Sequence, residues 1–175
     1  VVTNKHVIKN AAKGKLIITK ANEKGEPVDT QHFTLAFDNF ESFWRLHPEA
    51  DVDLCAMSIA PFVNEAAKRG DKLFYIPFTK NLLPTDKHKE ELTAIEDVLM
   101  IGYPNGIWDS VNNMPIFRMG TTATNPLLDY NGKKEIMIDI AAFPGSSGSP
   151  VLIFNEGCYK DKNGNMCMGA NWKKR

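Results

Sequence analysis

The segment Phe143-Pro144-Gly145-Ser146-Ser147-Gly148-Ser149-Pro150 carries the strongest chemical signal in the chain. A hydroxyl is a weak nucleophile until a base takes its proton and donors hold the oxygen of the group under attack. Gly145 and Gly148 allow the backbone to turn sharply with no Cβ in the way. In such a turn the amides of Gly145 and Ser147 can point at one spot and form an oxyanion hole. Ser147 is the candidate nucleophile, with Ser146 and Ser149 as rivals on composition. Taken alone, a glycine–serine run reads more readily as a flexible turn.

A base and an orienting carboxylate are also available. His6 follows Val1-Val2-Thr3 and precedes Val7-Ile8, so a buried or half-buried imidazole there can act as general base near neutral pH. His32, His47 and His88 stand among polar residues and read as solvated. Asp53 opens Asp53-Leu54-Cys55-Ala56-Met57. A carboxylate leading into an apolar strand is pushed inward and needs a partner. An imidazole N–H would satisfy it and fix the ring's tautomer. Asp51 would share its face if the strand ran back that far, and is its chief rival. Each residue has an ordinary structural explanation by itself; a hydroxyl, an imidazole and a carboxylate in these contexts could together serve acyl transfer.

The elements that must hold these groups read as short β-strands separated by turns, with little helical periodicity. Candidate strands are 15–19, 33–37, 53–59, 73–78, 97–103, 116–121, 135–140 and 150–154. Branched and aromatic residues dominate them, as a half-buried pleated surface prefers. One short helix is expected from Pro61 through Phe62, Val63, Ala66 and Ala67, stopped by Gly70. The charged stretch 85–96 suits a helical turn or a surface loop, and a lobe boundary falls in the polar region between Phe78 and Glu96. Turn signals crowd Gly102-Tyr103-Pro104-Asn105-Gly106 and Tyr130-Asn131-Gly132. The pattern favours an all-β barrel or sandwich over an α/β sheet.

Bulk properties narrow the function classes. With 21 Lys and Arg against 21 Asp and Glu, the 175-residue chain has zero formal net charge. That argues against a nucleic-acid binder, and Lys173-Lys174-Arg175 reads as a solvated tail. No apolar run is long enough to span a bilayer. Of three cysteines, Cys55 reads as a small hydrophobe in a strand. Cys158 and Cys167 flank the hairpin signal Asn163-Gly164, where a cross-hairpin disulfide can be drawn. The count slightly favours a reducing, cytoplasmic compartment. No zinc-ligand spacing is present.

Taken together, these segments resemble the trypsin-like serine protease family, particularly its HtrA-type and other bacterial members. Val2-Thr3-Asn4-Lys5-His6-Val7 is similar to the family's apolar–Thr–x–x–His segment, and Asp53-Leu54-Cys55-Ala56-Met57 to its Asp–apolar–Ala–apolar strand. Gly145-Ser146-Ser147-Gly148-Ser149-Pro150 resembles Gly-x-Ser-Gly-Gly-Pro, with Ser149 in place of the second glycine. Met100-Ile101-Gly102-Tyr103-Pro104 looks like its apolar–Gly–x–Pro strand end.

The resemblance implies a double six-stranded β-barrel of two Greek-key lobes, 1–85 carrying His6 and Asp53 and 86–175 carrying Ser147. Together these would form one peptidase domain, incomplete at both ends by the family's pattern. It implies His6 as base then acid, Asp53 as its orienter, Ser147 as nucleophile, Gly145 and Ser147 as oxyanion donors, and no cofactor or metal. Ser146 stands where digestive members carry an aspartate, so activation through a newly cut N-terminus is not expected. Ala141, Ala142, Phe143 and Pro144 would line the pocket for the residue before the scissile bond, favouring a small or medium apolar side chain. Asp139 would alter that preference if it pointed into the pocket. The expected partner is a polypeptide substrate. An inactive homologue used for protein binding is the alternative, and an esterase with the same residues a further one.

Overall fold

The computed structural model describes residues 1–155, 158–160 and 163–168, with only the backbone for 158–160, 167 and 168. The Lys173–Arg175 cluster and the side chains of Cys158 and Cys167 lie outside the described residues. The architecture is mostly antiparallel sheet with few helices. Two compact units divide it: Val1–Pro77, Gly102–Ile116 and Phe143–Ser149 form one, and Phe78–Ile101, Phe117–Ala142 and Pro150–Arg175 the other.

The first unit contains β1 (Val2–Thr3), β2 (Lys13–Ala21), β3 (Pro27–Asp38), β4 (Arg45–Leu46), β5 (Cys55–Ala56) and β6 (Lys72–Leu73). They form two sheets, ordered β1-β5-β4 and β3-β2-β6. The β2–β3 ribbon extends well past both predicted strands, with Leu16 opposite Leu35 and Gly14 opposite Phe37. Its turn is set by Asn22, whose Oδ1 accepts from the amides of Lys24 (2.9 Å) and Glu26 (3.0 Å). Such Asx geometry lets a side chain close a turn.

Ile8, Trp44, Cys55, Met57 and Phe62 are buried together, with Leu16, Leu35, Phe37, Phe40 and Ile59 against them. Cys55 and Met57 alternate with exposed Ala56, the period of a half-buried strand. Phe62 meets Phe37 edge to face, ring centroids 5.2 Å apart, the arrangement aromatic quadrupoles prefer.

Helix α2 (Ala60–Lys68) is the helix expected from Pro61, and it buries Phe62 and Ala66, one turn apart. Ala67, also within the helix, is exposed. Two shorter helices accompany it, α1 (Lys5–Ile8) and α3 (Asp86–Glu91). The side chain of Thr85 caps α3 by accepting from the His88 amide at 3.2 Å. No helix among the described residues is long and apolar enough to cross a membrane.

In the second unit, β7 (Asp97–Gly102), β8 (Ile116–Thr122), β9 (Ile138–Asp139) and β10 (Val151–Ile153) make a sheet ordered β10-β7-β8-β9, with Gly102 and Ile116 falling in the first unit. Val98 and Met100 are its buried apolar residues. β11 (Cys158–Lys160) and β12 (Met166–Met168) pair antiparallel, in a register that sets Cys158 opposite Met168 and Cys167 opposite Tyr159.

Three expected strands are cut short. Only Cys55–Ala56 of 53–59 is strand, because Asp53 and Leu54 stay outside the ladder. Of 73–78 only Leu73 pairs, and Tyr75, Ile76 and Phe78 are exposed; Pro77 lacks the N–H a ladder needs. Of 135–140 only Ile138 and Asp139 pair, since Glu135 closes a loop with Tyr130 and Lys133.

Candidate active site

His6 sits on α1, a single helical turn following β1, and buried Ile8 on the same turn holds it to the core. Asn4 occupies the position before the helix but does not cap it. Its Nδ2 instead donates to the Asp53 carbonyl oxygen at 2.7 Å. The His6 amide donates to Asp53 Oδ1 at 3.1 Å, and His6 Nδ1 lies 2.5 Å from Asp53 Oδ2. The carboxylate is therefore gripped at both oxygens, by backbone and ring of one residue. Lys5 Nζ adds a bond to the Glu49 carbonyl at 2.8 Å, tying the loop before Asp53 to the same turn.

On the other side of the ring, His6 Nε2 lies 3.0 Å from Ser147 Oγ. An ionised carboxylate only accepts, so Nδ1 carries the ring proton and Nε2 is left to accept from the serine hydroxyl. The hydrogen bond from the His6 side chain is the main reason the Asp53 carboxyl is held below its ordinary pKa, against a smaller opposing effect of desolvation.

The site is more open than the sequence suggested. The His6 and Asp53 side chains are 58% and 46% exposed, not drawn into the interior. The strand begins only at Cys55, which leaves the carboxylate on the surface loop ahead of it. Cys55 itself is buried, and burial pushes its thiol pKa up.

Two consecutive turns present Ser147. In the first, the Ser146 amide donates to Phe143 O at 2.9 Å, with Pro144 second and Gly145 third at φ 87°. In the second, Ser149 N donates to Ser146 O at 3.0 Å, and Gly148, again third, has φ 81°. A positive φ at the third residue is the type II signature, and proline suits the second place. Ser147 thus stands exposed at the second place of its own turn. Among the described residues neither the Gly145 nor the Ser147 amide has a hydrogen-bond partner.

Gly148 sets the approach of this loop to the histidine. A Cβ there would run into Thr3, with Thr3 Cα and Cβ only 3.1 Å away. Thr3 directly precedes Asn4 and α1, so the absence of a side chain at 148 brings Ser147 within reach of the ring. Of the competing serines, Ser146 Oγ accepts from the Phe143 amide at 3.2 Å inside its own turn.

Other sequence candidates fall elsewhere. Asp51 lies in an exposed turn, and the bonds to His6 come from Asp53. His32, expected to be solvated, has a buried Nε2 with no partner among the described residues; it lies within β3 opposite Thr19. His47 Nδ1 accepts from the Glu49 amide at 3.3 Å. Ala141, Ala142, Phe143 and Pro144 are all exposed, the first two in the second unit and the last two in the first. The Ala141 carbonyl accepts from Arg118 Nη1 at 2.7 Å. Asp139 is exposed in β9, opposite Thr121. Among the described residues no group of three or more His, Cys, Asp or Glu is placed to hold a metal ion. Thr3 was marked in sequence only as the threonine of the segment leading to His6, and Asn4 was not singled out; its signal was adjacency to His6.

The mostly antiparallel-sheet framework thus carries a histidine between a carboxylate and the serine of a glycine-rich turn. The family model of the trypsin-like peptidase domain matches residues 1–158, and the chain belongs to that family. Its sheet-rich architecture with few helices is consistent with the trypsin-like β-barrel fold. No curated protein and no solved structure matches the chain.

Proposed function

We propose that this chain is a serine endopeptidase working through Ser147, His6 and Asp53. The observation that carries the reading is the bridging imidazole, 2.5 Å from the carboxylate and 3.0 Å from the hydroxyl. As Ser147 Oγ bonds the substrate carbonyl carbon, its proton passes to His6 Nε2. The carbonyl's π pair moves onto oxygen, which the amides of Gly145 and Ser147 hold; each such donor is worth about 3–4 kcal/mol at the transition state. His6 then gives the proton to the departing amide nitrogen as the C–N bond breaks, leaving an ester on Ser147. Water repeats the sequence and frees the acid. Asp53 keeps the tautomer and stabilises the imidazolium. No step calls for a cofactor.

The two-lobe organisation, 1–85 and 86–175, acting as one peptidase domain, belongs to the same reading. The absence of any charged side chain in segment 141–144 is what supports a preference for small or medium apolar residues before the scissile bond. Neutral Ser146, engaged within its own turn, supports activity without cleavage of a digestive kind.

A fluorophosphonate probe tests the reading. Stoichiometric labelling at Ser147, abolished in Ser147→Ala and at least a thousandfold slower in His6→Ala, is expected (roughly the loss seen on removing such groups). Peptide p-nitroanilides ending in alanine or valine should be cleaved faster than those ending in lysine or arginine. A folded chain that is not labelled leaves the protein-binding alternative.

A further inference from the structure

The orientation of the Pro144–Gly145 peptide decides whether a donor or an acceptor faces the space beside Ser147. A trans peptide points its C=O and N–H in opposite directions, and the described chain has no cis bond. The Pro144 carbonyl accepts from the Asn105 amide at 2.6 Å. The Gly145 N–H therefore points away from Asn105, and it has no partner among the described residues. Rotated by half a turn, the same peptide would put its carbonyl where the N–H now stands. An acceptor there would repel a developing oxyanion. The Asn105 and Gly145 amides, two donors, would then face each other.

Asn105 presents its amide this way because of the turn it occupies. It has φ 52° and ψ 24°, and Gly106 follows at φ 67°. The Ile107 amide closes the turn on Pro104 O at 2.8 Å. Two consecutive positive φ values define a type I′ turn, which Asn-Gly supplies at little cost. The same loop bars a side chain from position 145: a Cβ there would stand 2.8 Å from Tyr103 O and 3.2 Å from Asn105 N.

We infer that Asn105 is a positioning residue whose left-handed backbone holds the Pro144–Gly145 peptide with its donor outward, as oxyanion binding requires. The inference rests on the serine-peptidase reading and names what keeps its oxyanion hole formed.

The test compares Asn105→Gly, Asn105→Ala and Asn105→Val in the full chain. The substrate is a peptide p-nitroanilide with valine before the scissile bond. The inhibitor is a peptide aldehyde of the same sequence, which forms an oxyanion on the serine. Valine resists a positive φ and glycine does not. Asn105→Val should lower kcat by about 100-fold, the scale of one lost oxyanion donor, with KM changed less than about threefold. Aldehyde affinity should fall with kcat. Asn105→Gly should recover kcat to within about threefold of wild type. Asn105→Ala should fall between, and it keeps the comparison open if the valine variant folds poorly. Equal kcat and aldehyde affinity in all variants overturns the inference, as does a loss confined to KM. A wild-type chain that fluorophosphonate fails to label overturns the serine-peptidase reading and this inference with it. A labelled wild type with indifferent variants overturns this inference alone.

Discussion

The β2–β3 ribbon and the His6–Ser147 site lie in the same unit but are held in different ways. The ribbon joins nine residue pairs, from Lys13 with Asp38 to Ala21 with Pro27, around one local turn. Its partners are near in sequence, and its apolar residues rest on the common core. The site joins residues 47 and 141 positions apart. Around it are a one-turn helix, a two-residue strand and a pair of glycine turns. In the ribbon, burial and repeated pairing spread the stabilisation over many residues, so one change is diluted. At the site a few hydrogen bonds each fix one atom, so one change moves the chemistry. A framework of the first kind lets the second stay exposed and sparsely supported.

Four substitutions would break or sharpen that contrast. Asp53→Asn should lower kcat by about a thousandfold or more, because an amide no longer enforces the Nδ1-protonated tautomer, while the thermal midpoint moves little. Equal rates for Asp53→Asn and wild type would contradict the relay. The same residue gives a pH signature. Its folded pKa lies below the ordinary value, so its contribution to stability is complete above the ordinary carboxylate range. It is lost as pH falls through the folded value, below about pH 4. Stability curves of wild type and Asp53→Asn should keep a constant separation above that range and converge only below it.

Phe62→Ala, in the core against the ribbon's Phe37, should cost about 3–5 kcal/mol of stability. That is a fall of roughly 10 °C or more in Tm, with kcat of the remaining folded protein close to wild type. Gly148→Ala should act on both counts, losing about 1–3 kcal/mol from crowding against Thr3 and from its positive φ, and slowing labelling of Ser147. If labelling is unaffected, Gly148 does not set the distance to the ring. The smallest effect belongs to the ribbon's own irregularity. Register shifts between Thr19 and Lys20, and Thr30, facing the shift, has φ 70°. Thr30→Gly should raise stability by up to about 1 kcal/mol by relieving a left-handed β-branched residue, read as a Tm gain with unchanged activity.

Much of the framework was legible because its signals are local. Branched residues marked the ribbon, Pro61 and Gly70 bounded α2, and the Phe143–Pro150 segment announced a sharp turn through its glycines. Three strands were overextended for a physical reason. Apolar composition at 53–59, 73–78 and 135–140 says a segment suits a sheet, but not whether a partner strand lies beside it. Asp53 was expected to be buried on the same ground, and the ladder that would have buried it starts two residues later. The Asn105-Gly106 turn was readable from its dipeptide; its hydrogen bond to Pro144, from a segment far along the chain, was not.

What the sequence by itself determined is chemical type and local geometry: a hydroxyl between glycines, an imidazole after an apolar pair, a carboxylate before another, and the turn each can form. Propensities and turn preferences act over a few neighbouring residues, so they are written in the sequence directly. Only the tertiary structure brought Asp53 and not Asp51 against His6, set Ser147 beside the imidazole ahead of Ser146, and fixed which way the Pro144–Gly145 peptide points. Those choices depend on single hydrogen bonds between distant segments, whose strength falls away within a fraction of an ångström. Packing of the whole unit sets such distances, and no short stretch of sequence encodes them.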